Sequence, residues 1–541
     1  MAPRTPRLSP LARDRHAPLE ASVQGVARDL GFLERVRRTA RGELVVLLAV
    51  LALGLMHLPQ PFERDQATFT LGAQRLAAGG VLYRDFWDVK QPGIYAFYLV
   101  AGRLFGFTET GVHLLELLWM MALAVTLLVT LRRRWGPGPA ATLAPLLTVG
   151  PYYAAVGSWH LTQVEGLVGL PLYLALWFAT PAADGELRAW RAFLSGLCGA
   201  VVLLFKLAFL PLVAAIWLVA LADALRRPRG GPARALLSVA LPVALGLALP
   251  WAAVLADFAR HGLLGTLRWT YLAYPALVAS QVHGTRVDTL FRGFQWFLLR
   301  WAPLLGLAVA GAALVRRDRL ALGLGLWVAL GFAVILAQRA SWWEYHYVLF
   351  CVPLGVLGAA GIGALWAGLD RLGAGAPGAR RAVAASLVAL FAGFLGLAGM
   401  KAVLLARERF ALRPADLASY QQRMSGLYYR TAQDVALLAE PGRLPGAVFV
   451  LDNPLVYLRS GRAASTAFKG VYFPEVMGEA EWSVLTSRLE RDPPAYILVE
   501  PEYLPIVQSG EARVQRFAGF LAARYREARR IGPDVWYERA R

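Results

Sequence analysis

Cysteine is nearly absent from this chain, and charged residues are scarce. The 541 residues include two cysteines, and Asp, Glu, Lys and Arg together make up 17% of the sequence. Cys198 and Cys351 both lie inside apolar runs, so we expect small buried residues rather than a disulfide framework or a zinc site. A soluble protein needs polar side chains over its exposed faces, so the low charge excludes that class as well.

Apolar sequence takes the place of the missing charge. Hydrophobic residues make up 57% of the chain, and the mean hydropathy is +0.47. Uncharged runs such as 235–256 and 320–337 have the length of roughly 17–25 residues that a helix needs to cross the hydrocarbon core. We therefore predict a polytopic α-helical membrane protein.

Acidic residues are fewer than basic ones, with 36 Asp and Glu against 56 Lys and Arg and a net charge of +20. This excess does not predict nucleic-acid binding, because arginines cluster at the ends of apolar runs (132–134, 226–229 and 316–319), as the positive-inside rule requires. Residues 1–42, with nine Arg and four acids, are predicted to be a basic cytoplasmic segment; the alternative is a basic nucleic-acid-binding arm. The first apolar run lacks a small-residue cleavage site, which is typical of an anchor.

The membrane core is predicted to cover residues 43–405. Counting apolar runs from a cytoplasmic N-terminus predicts about eleven spans. A first outer loop at 59–92 and a long outer loop at 257–300 would then face the extracytoplasmic side. The count depends on 93–131, which holds two apolar stretches but needs one net crossing.

Residues 406–541 differ from the core. Short apolar runs at 447–451 and 496–499 alternate there with polar stretches and turn signals such as Pro493-Pro494. The pattern predicts a small soluble α/β domain, which the span count leaves on the extracytoplasmic side.

The first outer loop concentrates the charges that the spans lack. Asp65, Asp85 and Asp88 lie there beside Lys90 and several aromatic residues. From Asp65 onward, apolar residues recur at helical spacing until a Gly-Gly pair, which predicts an amphipathic helix lying on the membrane. Asp65 could act in catalysis or simply cap this helix. Asp85 and Asp88 could be solvated loop acids, and Lys90 could extend towards lipid headgroups.

Short motifs follow one another in this region. The acidic loop comes directly after the first helix, followed by Gly-x-x-Tyr-x-Asp at 80–85, Lys-x-Pro at 90–92 and Leu-Phe-Gly at 104–106. This order resembles the GT-C glycosyltransferases, in particular the branch of protein O-mannosyltransferases and bacterial aminoarabinose and galacturonate transferases of lipid A. The resemblance implies a multi-spanning core that uses polyprenyl-phosphate sugars as donors, often followed by an extracytoplasmic domain.

The resemblance assigns roles in the first outer loop. Asp65 matches the catalytic acid, which family members usually follow with Glu; here Gln66 stands in that place. Asp88 and Lys90 match the acid and the base that precede the family's proline.

Four later positions extend the resemblance. Glu165 matches an acid of the second outer loop, Lys206 resembles a lysine near the donor phosphate, and His346, with Arg339 upstream, resembles a histidine at the start of a late helix. Ionisable groups at the edges of apolar runs usually face a functional cavity. Glu165 and Lys206 could instead form a structural ion pair, and His346 could be a satisfied interfacial histidine. The neighbouring aromatic residues are assigned to an interfacial belt: Trp342, Trp343 and Tyr345.

Sugar transfer from a lipid phosphate to a hydroxyl fits these residue types. A carboxylate in a partly desolvated pocket, here Asp65, can take the acceptor proton. Lys90, Lys206, Arg339 or His346 could bind the departing phosphate, and a divalent metal is a further option, although no spacing in the sequence requires one. The supporting acids would be Asp85, Asp88 and Glu165.

We therefore predict a glycosyltransferase embedded in membrane lipid. It would move a sugar from a polyprenyl-phosphate donor to a lipid, polysaccharide or protein hydroxyl on the extracytoplasmic face. The family's usual stereochemistry implies direct, inverting displacement with Asp65 as the base. The resemblance and a composition rich in Ala, Arg, Gly and Leu favour a bacterial inner membrane. The alternatives are a flippase for lipid-linked sugars and a non-catalytic scaffold with the same fold.

Overall fold

The computed structural model is mostly helical, with a small β-sheet near the C-terminus. The residues that it describes are 40–154, 157–182, 185–226, 231–281, 287–338, 342–371, 378, 381, 385, 417–466 and 477–540. Most of the basic N-terminal segment, Arg339 and the end of the predicted membrane core (386–405) lie outside them.

The core contains helices α1 to α16. Their bounds are α1 40–55, α2 Arg64–Ala77, α3 Pro92–Phe105, α4 Glu109–Trp135, α5 Pro139–Ala154, α6 Val164–Leu167, α7 Gly169–Ala179, α8 Ala189–Phe205, α9 Leu210–Leu225, α10 Pro232–Ala235, α11 Leu241–Arg260, α12 Leu264–Arg268, α13 Tyr274–Gln281, α14 Val287–Leu314, α15 Arg319–Ala337 and α16 Cys351–Arg371. Turns of 3₁₀-helix lie at Ser158–His160, Leu207–Phe209 and Glu344–Phe350, and π-helical turns lie at Leu236–Ala240 and Trp269–Ala273.

Helices long and apolar enough to cross a membrane make up much of this core. Among the described residues there are six: Glu109–Trp135, Leu207–Leu225, Pro232–Arg260, Val287–Ala313, Arg319–Ala337 and Glu344–Leu365. Leu218, Leu299 and Val309 are 64%, 74% and 70% exposed, as expected of side chains that face lipid. The chain is a multi-pass membrane protein, and the count of about eleven spans stays a prediction.

The helix predicted in the first outer loop is present and is enclosed by protein on two sides. α2 ends at Ala77, shortly before Gly79, whose φ of +84° is a conformation that glycine adopts easily. Phe69 is buried against the core, where its ring contacts Tyr95 edge-on. Leu71 packs against the C-terminal domain. α2 therefore lies between these two parts of the chain, whereas the sequence predicted a helix lying on the membrane.

The long outer loop predicted at 257–300 is largely helical. α12, a π-helical turn and α13 occupy 264–281, and α14 already starts at Val287. The indole N–H of Trp87 donates to Thr270 Oγ1 at 3.1 Å. This helical segment therefore packs over the end of the first outer loop.

The C-terminal domain is a mixed α/β unit. Its helices are α17 Leu417–Met424, α18 Gly426–Ala439, α19 Leu455–Ser460, α20 Glu479–Arg491, α21 Leu504–Val507 and α22 Ala512–Arg524, and its strands are β1 Val448–Leu451, β2 Tyr496–Val499, β3 Tyr525–Ile531 and β4 Asp534–Arg539. The sheet order is β1-β2-β4-β3, with β1 parallel to β2 and β4 antiparallel to both its neighbours.

Strands β1 and β2 coincide with the two apolar runs seen in the sequence. Every residue in both strands is buried, because side chains pack on both faces of the sheet. One face contacts a cluster that includes Trp482 and Phe517, and the other contacts one that includes Tyr457 and Trp536. The carboxyl ends of β1 and β2 lie next to the start of α2, where Arg64 contacts Glu500.

Candidate active site

Asp65 lies in the first turn of α2. The helix begins at Arg64, and its N-cap residue is Glu63, whose backbone N–H donates to Gln66 Oε1 at 2.6 Å. The N-cap position therefore belongs to Glu63 and not to Asp65. The Asp65 side chain is 25% exposed, so a substrate group can approach it.

Lys90 faces Asp65 from the segment that leads into α3. Its Nζ lies 3.9 Å from Asp65 Oδ2 and 5.8 Å from the centroid of the Phe69 ring. The chain turns at Tyr83, which has a φ of +67°, and the Tyr83 hydroxyl donates to the Lys90 carbonyl oxygen at 2.6 Å. Residues with side chains rarely adopt such a φ, so the surrounding contacts must hold this turn and with it the position of Lys90.

Asp88 is buried close to Lys90. The Tyr95 hydroxyl donates to one carboxylate oxygen, and the Val89 N–H donates to the other at 2.7 Å. Burial raises the pKa of Asp88, and the charge of Lys90 opposes that shift. Burial by itself lowers the pKa of Lys90, but Tyr345 and the nearby carboxylates outweigh it, so its pKa is raised and Lys90 is a cation.

Glu165, Lys206 and His346 form the other side of the site. Lys206 Nζ donates to Glu165 Oε1 at 2.7 Å, and the same oxygen lies 3.7 Å from His346 Nε2. Each residue lies where a helix is interrupted: Glu165 in the short α6, Lys206 between α8 and a 3₁₀ turn, and His346 in the 3₁₀ turn before α16. Their side chains are 3%, 14% and 1% exposed. A charge buried this deeply needs a partner.

The two sides of the site interact electrostatically. Lys206 acts on both Lys90 and Asp65, and Lys90 acts on Glu165. The cluster therefore brings the amino groups of Lys90 and Lys206 close to the partly exposed carboxylate of Asp65. Lys206 is paired with Glu165 and Lys90 with Asp65, and lysine is also a residue that binds phosphate groups well. The arrangement can bind a phosphate and offers Asp65 for proton transfer next to it.

Structural comparison identifies the fold. No protein-family model and no curated protein matches the sequence. Among solved structures, the chain is similar to ArnT from Cupriavidus metallidurans bound to undecaprenyl phosphate, with a TM-score of 0.55 and 17% identity over 93% of this chain and 98% of the ArnT chain. ArnT from the same organism in the apo state gives a TM-score of 0.56 and 16% identity over 92% and 98% of the two chains.

The chain has the GT-C fold. The resemblance read from the motifs is thereby confirmed at the level of the fold. The chain combines a helical core with a C-terminal α/β domain, and the structural similarity to ArnT extends over nearly the full length of both proteins.

Gln66, which follows Asp65, has a structural role that depends on its amide group. Its side chain is fully buried, and its amide Nε2 donates to the carbonyl oxygens of Ser158 at 2.8 Å and Leu161 at 2.7 Å. A carboxylate at this position has no N–H to donate to these oxygens. Gln66 therefore ties α2 to the segment that precedes Glu165, and it does not supply a second acid beside Asp65.

Most of the residues that the sequence singled out lie in one cluster: Asp65, Lys90, Asp88, Glu165, Lys206 and His346. Asp85 lies to one side, where it pairs with Arg84 at 2.9 Å and accepts a hydrogen bond from the Val81 N–H at 2.7 Å. The hydrogen bond from Arg84 lowers the pKa of Asp85. Arg339 is outside the described residues, and its role stays a prediction.

Two tyrosines that the sequence analysis did not assign to the site belong to it. Tyr345, expected in the interfacial belt, is buried; its ring centroid lies 4.5 Å from that of His346, and it interacts with Lys90. Its position next to His346 at the start of an apolar run was the available signal. Tyr95 donates to Asp88, and nothing in the sequence distinguishes it from other aromatic residues of α3.

The described part of the chain does not provide a metal site. Within it, no group of three or more His, Cys, Asp or Glu side chains lies close enough to hold an ion. Glu165, a buried acid of the site, is already paired with Lys206. The divalent metal that the sequence left as an option stays a hypothesis.

Proposed function

We propose that this chain is a membrane glycosyltransferase that takes its sugar from a polyprenyl-phosphate donor. The observation that carries the proposal is the placement of Lys90 and Lys206 beside Asp65 in a chain with the GT-C fold. Ammonium groups aimed at a phosphate stabilise the charge that develops as it leaves. ArnT, which has a similar fold, has been solved with undecaprenyl phosphate bound.

Asp65 is the base in this reaction. The oxygen of the acceptor hydroxyl forms a bond to the anomeric carbon of the donor sugar while the bond from that carbon to the phosphate oxygen breaks. The hydroxyl proton passes to the Asp65 carboxylate, and the electron pair of the broken bond leaves with the polyprenyl phosphate. A single displacement of this kind inverts the configuration at the anomeric carbon.

The buried residues of the site hold the two lysines in place. Glu165 fixes Lys206 through the 2.7 Å ion pair, and His346 packs against the same carboxylate oxygen. Asp88 contributes negative charge near Lys90. Removing one group that stabilises developing charge typically lowers kcat by about 10²–10³, and each lysine is expected to fall in that range.

The reaction belongs on the extracytoplasmic face of a bacterial inner membrane in this proposal. The arginines of 132–134 end α4 and those of 316–319 lie at the start of α15, and Arg134 pairs with Asp318 there at 2.8 Å; arginines accumulate on the cytoplasmic side. The C-terminal domain contacts α2 beside the site, so it belongs on the same face as the site. The acceptor is a hydroxyl of a lipid, a polysaccharide or a protein.

A transfer assay in membranes tests the function. Membranes that contain the chain receive ¹⁴C-labelled undecaprenyl-phosphate esters of aminoarabinose, galacturonic acid or mannose, and the label is followed into lipid, polysaccharide and protein fractions. Label that enters one fraction only when the chain is present supports the proposal and identifies the acceptor class. If the labelled donor crosses the membrane of sealed vesicles unchanged, the result indicates a flippase. If the chain neither transfers the sugar nor moves the donor, the result favours a scaffold.

A further inference from the structure

The segment 59–64, which leads into α2, is held by side chains of the C-terminal domain. The Phe62 N–H donates to the Tyr428 hydroxyl at 2.8 Å, and Ser425 Oγ donates to Glu63 Oε1 at 3.2 Å. Two further side-chain hydrogen bonds join the same parts of the chain: Gln60 to Tyr420 and Gln421 to Pro59. The domain therefore holds the residues immediately before the candidate base.

Arg64, the last residue of that segment, enters a group of carboxylates that we name the acidic clasp: Asp452, Glu500 and Glu502. Its Nη1 lies 3.0 Å from Asp452 Oδ2 and 3.2 Å from Glu502 Oε2, and its Nη2 lies 2.9 Å from Glu500 Oε2. Asp452 and Glu500 directly follow the parallel strands β1 and β2. A guanidinium presents its N–H donors in a rigid plane, so it can hold several carboxylates in one orientation.

The acidic clasp places three carboxyl groups around the single guanidinium of Arg64. Burial raises the pKa of Glu500 to about 8, and Arg64 opposes that shift; the other charged groups acting on it are Asp452, Asp534 and Arg430. Burial lowers the pKa of Arg64, but Asp452 and the rest of the clasp outweigh it, so the net shift is upward. Arg64 is therefore always a cation, and its removal would leave buried carboxylates without their partner.

Asp65 follows Arg64 in the first turn of α2 and precedes Gln66, which is tied to the core through Ser158 and Leu161. It therefore stands between one residue held by the C-terminal domain and one held by the core. Neighbouring residues of a helix share a rigid backbone, so a shift of Arg64 also displaces Asp65. Shifts of about 1 Å can cost a factor of about 10² in rate.

We propose that Arg64 is a positioning residue, through which the C-terminal domain sets the place of Asp65 opposite Lys90. This rests on the proposed function, in which Asp65 is the base. Docking of the domain does not depend on Arg64 alone, because Glu109 in α4 accepts hydrogen bonds from the Tyr428 hydroxyl and from Arg459. Loss of Arg64 should misplace Asp65 without releasing the domain.

The test is a double-mutant cycle with Arg64→Gln, Glu500→Gln and the combined variant in purified protein. We expect Arg64→Gln to lower kcat for transfer by a factor of about 10–100. Its affinity for undecaprenyl phosphate should change by less than about twofold, because the groups that bind the phosphate are untouched. The double variant should be no slower than Arg64→Gln, and Arg64→Lys should recover part of the rate. Arg516→Gln, which removes a 2.6 Å ion pair with Glu490 elsewhere on the domain, is the control and should equal wild type.

Hydrogen exchange provides a second readout that needs no sugar donor. Arg64→Gln should speed amide exchange over residues 64–70 and leave α8 unchanged. If the wild type transfers sugar and Arg64→Gln has the same kcat, the positioning role is wrong and the proposed function stands. If the wild type transfers no sugar, the proposed function is wrong. In that case, amide exchange over residues 64–70 that is the same in Arg64→Gln as in wild type would show that the positioning role is wrong as well. Loss of undecaprenyl phosphate binding in parallel with kcat would contradict positioning and indicate a general folding defect.

Discussion

Gln66→Glu would place a second acid directly after Asp65, as in the pattern that the sequence resembles, and we expect it to destabilise this chain. The Gln66 amide donates to two buried carbonyl oxygens, those of Ser158 and Leu161. An ionised carboxylate would face both oxygens with no hydrogen to donate, in a position that is 0% exposed. The new carboxyl group should therefore stay protonated in the folded protein.

Two effects determine the size of the loss. Holding a proton at pH 7 on a group whose pKa in the unfolded chain is about 4.3 costs about 3.7 kcal/mol, at about 1.4 kcal/mol per pH unit. The protonated group has one O–H for two carbonyl oxygens, and a buried carbonyl left without a donor costs about 1–3 kcal/mol. We expect the free energy of unfolding to fall by about 5–7 kcal/mol at pH 7.

The assay is denaturant unfolding of purified protein in nanodiscs, with Gln74→Glu as the matched control. Gln74 lies in the same helix and is partly exposed, so the same chemical change there should cost little. A carboxyl whose pKa is raised by folding favours the folded state at low pH and loses that advantage as the pH rises. Lowering the pH from 7 to 5 should therefore restore about 2.7 kcal/mol to Gln66→Glu. Equal stability of the two variants at pH 7, or a loss that does not depend on pH, would refute the reasoning.

Two further predictions concern the other buried charges. Lys206→Met leaves the Glu165 carboxylate without its partner at 2.7 Å, so stability should fall by about 3–5 kcal/mol and affinity for undecaprenyl phosphate by at least about tenfold. Native mass spectrometry measures that affinity, and an unchanged value would contradict a phosphate-binding role. The Glu500 pKa, raised by burial from 4.5 to about 8, means that stability falls as the pH rises between those values, by up to about 1.4 kcal/mol per unit. In Glu500→Gln, the free energy of unfolding should vary less with pH over this range. Equal pH slopes in the wild type and the variant would contradict the prediction.

Composition and charge patterning were sufficient to predict the class of protein, because a bilayer imposes strict demands on both. Uncharged helices with arginines at their ends are typical of membrane proteins. The same reasoning could not predict how α2 is covered. Amphipathic spacing from Asp65 onward indicates a buried face, but it does not distinguish lipid from protein as the partner of that face.

The residues that cluster in the structure were easiest to single out where a charged side chain is costly in the membrane. Glu165 and Lys206 interrupt apolar runs, and such charges need each other or a ligand. Asp85 shows the limit of this argument, because a charge in a polar loop has many possible partners and this one pairs with Arg84. Tyr345 was assigned to the interfacial belt because composition cannot separate a tyrosine that faces headgroups from one that faces a site.

The contacts that hold Asp65 in place could not be inferred from one sequence. Arg64 and Glu500 are 436 positions apart, and no local pattern links them. The β3–β4 hairpin escaped prediction for a different reason. Its first strand is mostly exposed and rich in arginine, so it lacks the apolar alternation that identifies a strand.

In the proposed reaction, Asp65 takes the acceptor proton while Lys90 and Lys206 hold the leaving phosphate. Release of undecaprenyl phosphate from a ¹⁴C-labelled donor, in purified wild-type protein, Asp65→Asn and the control Asp288→Asn, tests it most directly. Asp288 lies in an exposed ion pair with Arg292, so its variant should match wild type. We predict that Asp65→Asn binds undecaprenyl phosphate normally and transfers at least about 10² times more slowly. Transfer at the wild-type rate by Asp65→Asn would contradict the account.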